Sequence, residues 1–280
     1  MTVYGLGRVP SPGDVRDHTL SAHAPEVAAA VPPMTYAPRY LWTVLDQGQT
    51  PKCVGYSGAL GRQIESMLEA AEALVFDADD LYARCKQLDG SPGTDGTYIR
   101  VACKVLKDQG GLVKQVLPGL TPEQARALAD ANAAAKASSP ARHQQVLALI
   151  AWVERARRHV PVPHPPVTVP KPGDRLKVAS YARLQTITEV KQTISAYGDA
   201  WIGSPWANSW FTPGPDGVLP APDAPAGGHA YKFVGYDDGR GAFLMQNSWG
   251  SAWGLLGHAW MPYSFVTLGD ALEWESWQTF

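Results

Sequence analysis

The chain has 280 residues, of which 45% are hydrophobic and 10% aromatic, enough for a sizeable core in one large domain or in two lobes. Its formal net charge is −2, with 24 Lys+Arg against 26 Asp+Glu and no basic run or stripe, which argues against nucleic acid and anionic membrane as partners. The three cysteines, Cys53, Cys85 and Cys103, include no CxxC pair, so neither a disulfide framework nor a structural zinc site is expected and a reducing compartment is.

No stretch approaches the roughly 20 apolar residues of a membrane span, and the first residues, "MTVYGLGRVPSPGDVRDH", lack a basic segment followed by an apolar one. A cytoplasmic location follows as an expectation, in a bacterial cell or a phage particle, since the Ala, Gly, Pro and Trp usage is that of a GC-rich source.

In chain order, residues 1–40 are rich in Pro, Ala and Gly with weak periodicity and read as an extended arm wrapping the surface. The arm either packs there or occludes a cleft, packing being the simpler reading. "CVGYSGALGRQIESMLEAAEA" suits a helix from Cys53 to about Ala73 that buries Val54, Ala59, Ile64, Met67 and Leu68. A second helix is expected over "DADDLYARCKQL", capped by Asp77, and a third from near Thr97 to the Gly110-Gly111 stop. The composition then turns Ala-rich. Thr121-Pro122-Glu123-Gln124 and Ser139-Pro140 are two helix starts and predict a helical hairpin, closed by the stiff connector "PVPHPPVTVPKPG". In the last third, "LKVASYARL", "DAWIGSP", "HAYKFVGYDD", "GAFLMQNSW" and "GHAWMPY" read as short strands between Gly- and Pro-rich turns, with one helix around "TITEVKQTISAYG". Asp237-Asp238 reads as a solvated hairpin turn. Helices first and strands later suggest an α+β protein of two lobes.

Cys53 stands where a loop becomes a helix, and a lone buried cysteine is usually inert. A nucleophile needs a base, a group to orient the base and an oxyanion donor. Of the seven histidines, His18 and His23 lie in the arm, His143 and His159 in the predicted hairpin, and His164 among prolines. His229 follows a Gly pair at the mouth of a strand, and Asn247 comes eighteen residues later (247 − 229). His258 is a weaker candidate base, without the Gly-Gly lead-in or a following Asn. Cys85 and Cys103 fall on helices without partners, which suits core packing.

"QGQTPKC", "GGHAYKFVGYDD" and "QNSWGSAWG", in the order Gln, Cys, His, Asn, resemble the active-site blocks of papain-like cysteine peptidases. "GTDGTYIRVACKVLKDQGG" also resembles a segment of their bacterial and archaeal members. The resemblance covers roughly residues 40–116 and 176–268. It implies a papain-like two-lobe fold, with a helical lobe, a β-rich, barrel-like lobe and an active-site cleft between them. In papain the His and Asn lie about 130–150 residues beyond the Cys. Here the intervals are 176 (229 − 53) and 194 (247 − 53), so 117–175 is read as an insertion between the lobes, expected to border the cleft. The domains are then an arm (1–40), a helical lobe with the nucleophile (41–116), the insertion (117–175) and a β-rich lobe with the His and Asn (176–280).

By the resemblance, Cys53 is the nucleophile, its thiolate favoured by the helix N-terminus and a protonated His229. His229 then serves as base and acid. Asn247 orients the His ring, and Trp249 covers that hydrogen bond, with Trp253 nearby. Gln47, six residues before Cys53, lends its amide to an oxyanion hole worth about 3 kcal/mol per donor. Gly96 would pair with bound peptide in a strand-like way, and the Gly228 carbonyl would accept from substrate. Val54 stands where the family usually has an aromatic residue, and Thr50 where it has a further cysteine. No long helical inhibitory propeptide precedes Gln47. The implied function is a monomeric cysteine endopeptidase that acts on peptide or protein through a thioester, without metal or cofactor. The alternatives are an isopeptide or peptidoglycan-peptide hydrolase or an acyl transferase with the same residues, or a catalytically silent peptide-binding protein.

Overall fold

The computed structural model describes residues 4–15, 17–38, 44–69, 73–117, 140–156, 170–268 and 274–280. The first hairpin helix with its Thr121 cap, His159, His164 and most of the proline connector lie outside the described residues. The elements are α1 (Leu20–His23), α2 (Pro25–Ala29), β1 (Thr35–Tyr36), α3 (Cys53–Glu69), β2 (Ala73–Phe76), α4 (Ala78–Leu88), α5 (Ile99–Asp108), β3 (Gly111–Leu117), α6 (Pro140–Ala156), β4 (Arg175–Leu176), β5 (Tyr181–Leu184), α7 (Ile187–Tyr197), β6 (Ala200–Ala207), β7 (Pro225–Asp237), β8 (Ala242–Gln246), β9 (His258–Pro262) and β10 (Glu275–Thr279). Helices α3–α5 form one lobe. The other is built on a sheet ordered β5-β10-β6-β7-β8-β9, with β1 on β7. This is the expected α+β, two-lobe arrangement, its sheet described as an open path rather than a closed barrel. Among the described residues no helix is long and apolar enough to cross a membrane.

The three helices of the first lobe lie close to their expected places. Asp77 caps α4, its carboxylate accepting from the Asp79 and Asp80 amides. Helix α5 starts two residues later than expected, because the Thr97 backbone is engaged by the arm. It runs out at Gln109, where Gly110 takes φ +83°. Helix α3 ends at Glu69, and Ala73, expected in its last turn, opens β2. Ile64 and Leu68 are only half-buried, whereas Arg62, Gln63, Glu65 and Ser66 are buried. The helix is enclosed on every side, so a one-sided apolar stripe did not describe it. Several of its polar groups find partners: Arg62 pairs with Glu65, and Glu65 Oε1 accepts from Thr279 Oγ1 at 2.8 Å, whereas both side-chain polar atoms of Gln63 are buried without a hydrogen bond.

The strand segments follow the expected order, but "LKVASYARL" is split. Its middle turns into the helical lobe, where the Val178 amide donates to the Leu106 carbonyl and the side chain is buried. Strand β10 and the small sheet β2-β3-β4 were not expected. Helix α6, the described helix of the proposed insertion, packs Val146, Leu149, Ile150 and Trp152 against Val234, Leu244 and Trp260 of β7–β9. Trp152 Nε1 donates to Asp237 Oδ2 at 2.9 Å, and Asp238 takes Lys191 and Tyr263, so the Asp pair anchors neighbours as well as turning the chain. Nor is the arm wholly on the surface: Leu20, Ala24 and Ala37 are buried.

One polar chain joins the lobes at α3. Trp201 Nε1 on β6 donates to Ser57 Oγ at 2.7 Å, and Ser57 Oγ donates to the Cys53 carbonyl at 2.6 Å. Ser57→Ala strands a buried indole N–H and is expected to cost about 1–3 kcal/mol, measured by equilibrium urea denaturation. No loss would mean that the Trp201–Ser57 contact does not hold the lobes.

Candidate functional site

Cys53 is the first residue of α3 and sits against β7, where the backbone N–H of Ala230 reaches its thiol, as do those of Gly7 and Val54. Ala230 follows His229, so the strand brings the histidine alongside the helix start. His229 Nε2 and Asn247 Oδ1 are 2.8 Å apart. The same Asn247 oxygen accepts from the Ser248 amide at 2.8 Å, so the imidazole is the donor and carries its proton on Nε2. Nδ1, on the other edge of the ring, is buried without a hydrogen bond. Trp249 stacks on the ring at 4.6 Å and 25°, and Trp206 meets it edge-on at 4.8 Å. Water is thereby kept from the His229–Asn247 bond.

Gln47 is buried and tied to this loop. Its amide N–H donates to the Ser248 carbonyl at 2.9 Å, and its Oε1 accepts from Ser248 Oγ at 2.6 Å. Its Nε2 donates to the Thr50 carbonyl at 2.8 Å and to the Gly5 carbonyl at 3.1 Å. The second acceptor belongs to the arm. Residues 4–11 run across the mouth of the site, and their backbone is paired on both sides. The Gly7 and Arg8 amides both donate to the Gly228 carbonyl at 3.0 Å, Thr97 N–H donates to the Gly7 carbonyl at 2.9 Å, and Val9 N–H donates to the Thr97 carbonyl at 2.9 Å. Tyr4 stacks on Trp249 at 4.5 Å and 11°. The approach is close: a Cβ on Gly7 would stand 2.1 Å from the Pro51 carbonyl oxygen. Under this cover Cys53 has no exposed surface.

Of the residues expected at the site, Cys53, His229, Asn247, Gln47, Gly228 and Trp249 come together. Gly96 differs. Its amide donates to the Tyr82 hydroxyl and its carbonyl accepts from Lys86, leaving strand-like pairing to its neighbour Thr97. His258 turns Nδ1 to the Leu256 carbonyl of its own loop at 2.8 Å. Cys85 and Cys103 are buried in the apolar cluster that also holds Cys53 and Trp201, and burial pushes both thiols up. Sequence reasoning missed Thr97, Trp206 and Ser248. Ser248 lies inside "QNSWG", so the motif could have flagged it; the other two carry no local signal.

The electrostatics are those of a closed site. Burial pushes the Cys53 thiol up to about 12, against the pull of the Ala230, Gly7 and Val54 amides and of the Arg8 cation. Burial also lowers His229 to about 4, with the Asn247 hydrogen bond opposing. At neutral pH both are therefore uncharged here, whereas a thiolate–imidazolium pair was expected. Desolvation beneath the arm outweighs the helix N-terminus.

No protein-family model matches the chain. Forty residues are 50% identical to part of an uncharacterized peptidase C1-like protein of Acanthamoeba polyphaga mimivirus, a match to 14% of this chain and 13% of that one. Among solved structures, xylellain, a cysteine protease from Xylella fastidiosa, matches with a TM-score of 0.67 and 22% identity over 99% of this chain and 96% of its own. Procathepsin B of Trypanosoma congolense matches with a TM-score of 0.62 and 14% identity, over 99% of this chain and 85% of that one. Digestive procathepsin L 3 of Tenebrio molitor larval midgut matches with a TM-score of 0.57 and 15% identity, over 89% and 71% of the two chains. The protein thus has the papain-like cysteine-protease fold.

With the arm seated, the His229 imidazole carbon resonances are expected to titrate only as the pH falls towards about 4, and Cys53 to resist iodoacetamide at neutral pH. NMR titration and alkylation read by intact mass check both. A midpoint near the ordinary histidine value would mean that the ring is open to water.

Proposed function

We propose that the chain is a cysteine endopeptidase that hydrolyses peptide bonds through a thioester. The observation that supports this best is the His229–Asn247 hydrogen bond, roofed by Trp249, beside a cysteine at the start of a buried helix. In the proposed reaction the Cys53 thiol gives its proton to His229 Nδ1, and the sulfur attacks the scissile carbonyl carbon. The carbonyl π electrons move to oxygen, which takes up the Gln47 Nε2 and Cys53 backbone donors. As the tetrahedral intermediate collapses the C–N bond breaks, and the amine leaves with the proton held by His229. Water then adds to the thioester, losing a proton to His229, and the thiol is regenerated along with a carboxylic acid. Asn247 keeps the ring turned so that Nδ1 faces the sulfur throughout. The Gly228 carbonyl and the Thr97 backbone hold the substrate as an extended strand, as they now hold the arm.

The arm is the first occupant of this cleft. Its Gly5 carbonyl takes the Gln47 amide, the donor assigned to the oxyanion, so the enzyme rests in a covered form until the arm leaves. The 280-residue chain incubated with an epoxysuccinyl peptide is expected to gain a single adduct slowly, with none in Cys53→Ala and a further reduced rate in His229→Ala. An adduct that persists in Cys53→Ala, or an unchanged rate in His229→Ala, would contradict these roles. Gln47→Ala is expected to lower kcat on peptide substrates by about 10²–10³-fold, with a much smaller change in KM.

A further inference from the structure

Next to the Thr97 edge stand two residues of α4 that take no part in the reaction. Tyr82 and Lys86 are four apart in sequence and share one face of the helix. Both turn to Gly96, and between them they take both of its backbone groups. The Gly96 amide donates to the Tyr82 hydroxyl at 3.0 Å, and Lys86 Nζ donates to the Gly96 carbonyl at 2.9 Å. The other two ammonium donors are also used, since Asp89 Oδ2 accepts at 2.6 Å and the Ser91 carbonyl at 2.8 Å. Asp89, whose side chain is 1% exposed, accepts in turn from the Ser91 amide at 2.9 Å. A cation suits the last turn of a helix in any case, but these three acceptors all lie beyond the helix.

The loop so tied has little packing of its own. Residues 92–95 are exposed in a row, and a Cβ on Gly90 or Gly93 would meet nothing within 4 Å. Helix α4, by contrast, is firmly seated on α3 at Gly55, two residues after Cys53. A Cβ there would stand 2.8 Å from Tyr82 Cβ and 2.6 Å from the Ala78 carbonyl oxygen. The helix that carries the cysteine therefore places α4, and α4 places Gly96.

The peptide bond from Gly96 to Thr97 carries this placement into the cleft. The Gly96 carbonyl and the Thr97 N–H belong to one plane and point opposite ways. Lys86 holds the carbonyl end, while the N–H end donates to the Gly7 carbonyl of the arm at 2.9 Å. Gly96 has φ +81°, and a glycine lets such a plane rotate when nothing pins it. A cation on the carbonyl stops that rotation and strengthens the N–H at the other end as a donor. We infer that Lys86 is a positioning residue: through the Gly96 carbonyl it aims the Thr97 N–H at a backbone carbonyl of the bound peptide. Calling that peptide a substrate rests on the peptidase reading, whereas the aim of the N–H does not.

The test uses the 280-residue chain carrying Gly7→Val, whose added side chain cannot pass the Pro51 carbonyl, together with Cys53→Ala to prevent turnover. Pentapeptides, each with one amide in turn replaced by an alkene isostere that lacks the carbonyl, are bound to it and read by fluorescence anisotropy. At one position the replacement is expected to weaken binding about 10-fold. Lys86→Met should weaken the intact peptide by a similar factor, and in that variant the same replacement should cost less than about twofold. Lys86→Arg, which keeps the charge, should stay within about threefold of the parent. With Cys53 present, Lys86→Met should raise KM about 10-fold at constant kcat. Alkylation by iodoacetamide, which offers Thr97 no peptide carbonyl, should change by less than about twofold. Unchanged peptide binding in Lys86→Met, a replacement that costs as much there as in the parent, or alkylation lost together with binding overturns the inference. If Gly7→Val does not fold by circular dichroism, Arg8→Ala, which removes the arm's buried ion pair with Glu275, unseats the arm instead. Coupled binding without cleavage would defeat the peptidase reading and leave Lys86 its role, whereas cleavage with KM unchanged in Lys86→Met would defeat that role alone.

Discussion

The structure depends on the docking of the first turn of α3 against β7. Cys53 begins a helix that is buried on all sides, and the strand it meets carries Gly228, His229 and Ala230 in succession. The Ala230 amide acts on the Cys53 thiol, and Ala230 follows His229, so this docking brings together parts of the chain 176 residues apart in sequence (229 − 53). The Trp201–Ser57–Cys53 hydrogen bonds hold this docking from the side. The Asn247–Ser248–Trp249 segment closes over it and ties itself back to Gln47 through Ser248. A shift of α3 along β7 would separate all of these groups at once.

The same burial that makes the docking firm keeps the site quiet. Burial holds the Cys53 thiol and the His229 imidazole each in the neutral form, and the arm provides part of that cover. Its backbone satisfies the donors and acceptors around the cleft, the Gln47 amide, the Gly228 carbonyl and both Thr97 groups. Those groups are what an extended peptide needs, so under the proposed function the arm and a substrate would compete for the same edge. Arg8 adds a buried ion pair with Glu275 to this competition. Removing the arm lifts desolvation from Cys53 and His229 together, and this favours the charged pair that the helix N-terminus can then support.

Much of the site was legible in the sequence because each residue carries a local signal. Cys53 opens a helical pattern, His229 follows a Gly pair at a strand start, and Asn247 and Gln47 sit in short motifs. Asp77 showed itself as a cap for a similar reason. What escaped was set by long-range placement. Glu275 lies 267 residues from Arg8, with which it pairs, and nothing near "EWESWQ" marks that contact. Thr97 replaces Gly96 in pairing because Tyr82 and Lys86 engage Gly96, which only the fold reveals. The arm has weak periodicity because it is held by backbone hydrogen bonds and close glycine contacts, neither of which requires a patterned sequence. The buried polar residues of α3 hid its enclosure in the same way, Glu65 for one finding its partners Gln278 and Thr279 on β10, a strand not anticipated.

The central claim is that a complete cysteine-peptidase site lies under the chain's own arm. Its most direct measurement is the initial rate of cleavage of an unfolded protein substrate by folded wild type, by Gly7→Val and by Gly7→Val with Cys53→Ala. A complete but covered site requires a large rise in Gly7→Val that disappears when Cys53 is replaced. A folded Gly7→Val chain that cleaves no faster than wild type, or one whose activity survives the loss of Cys53, would contradict it.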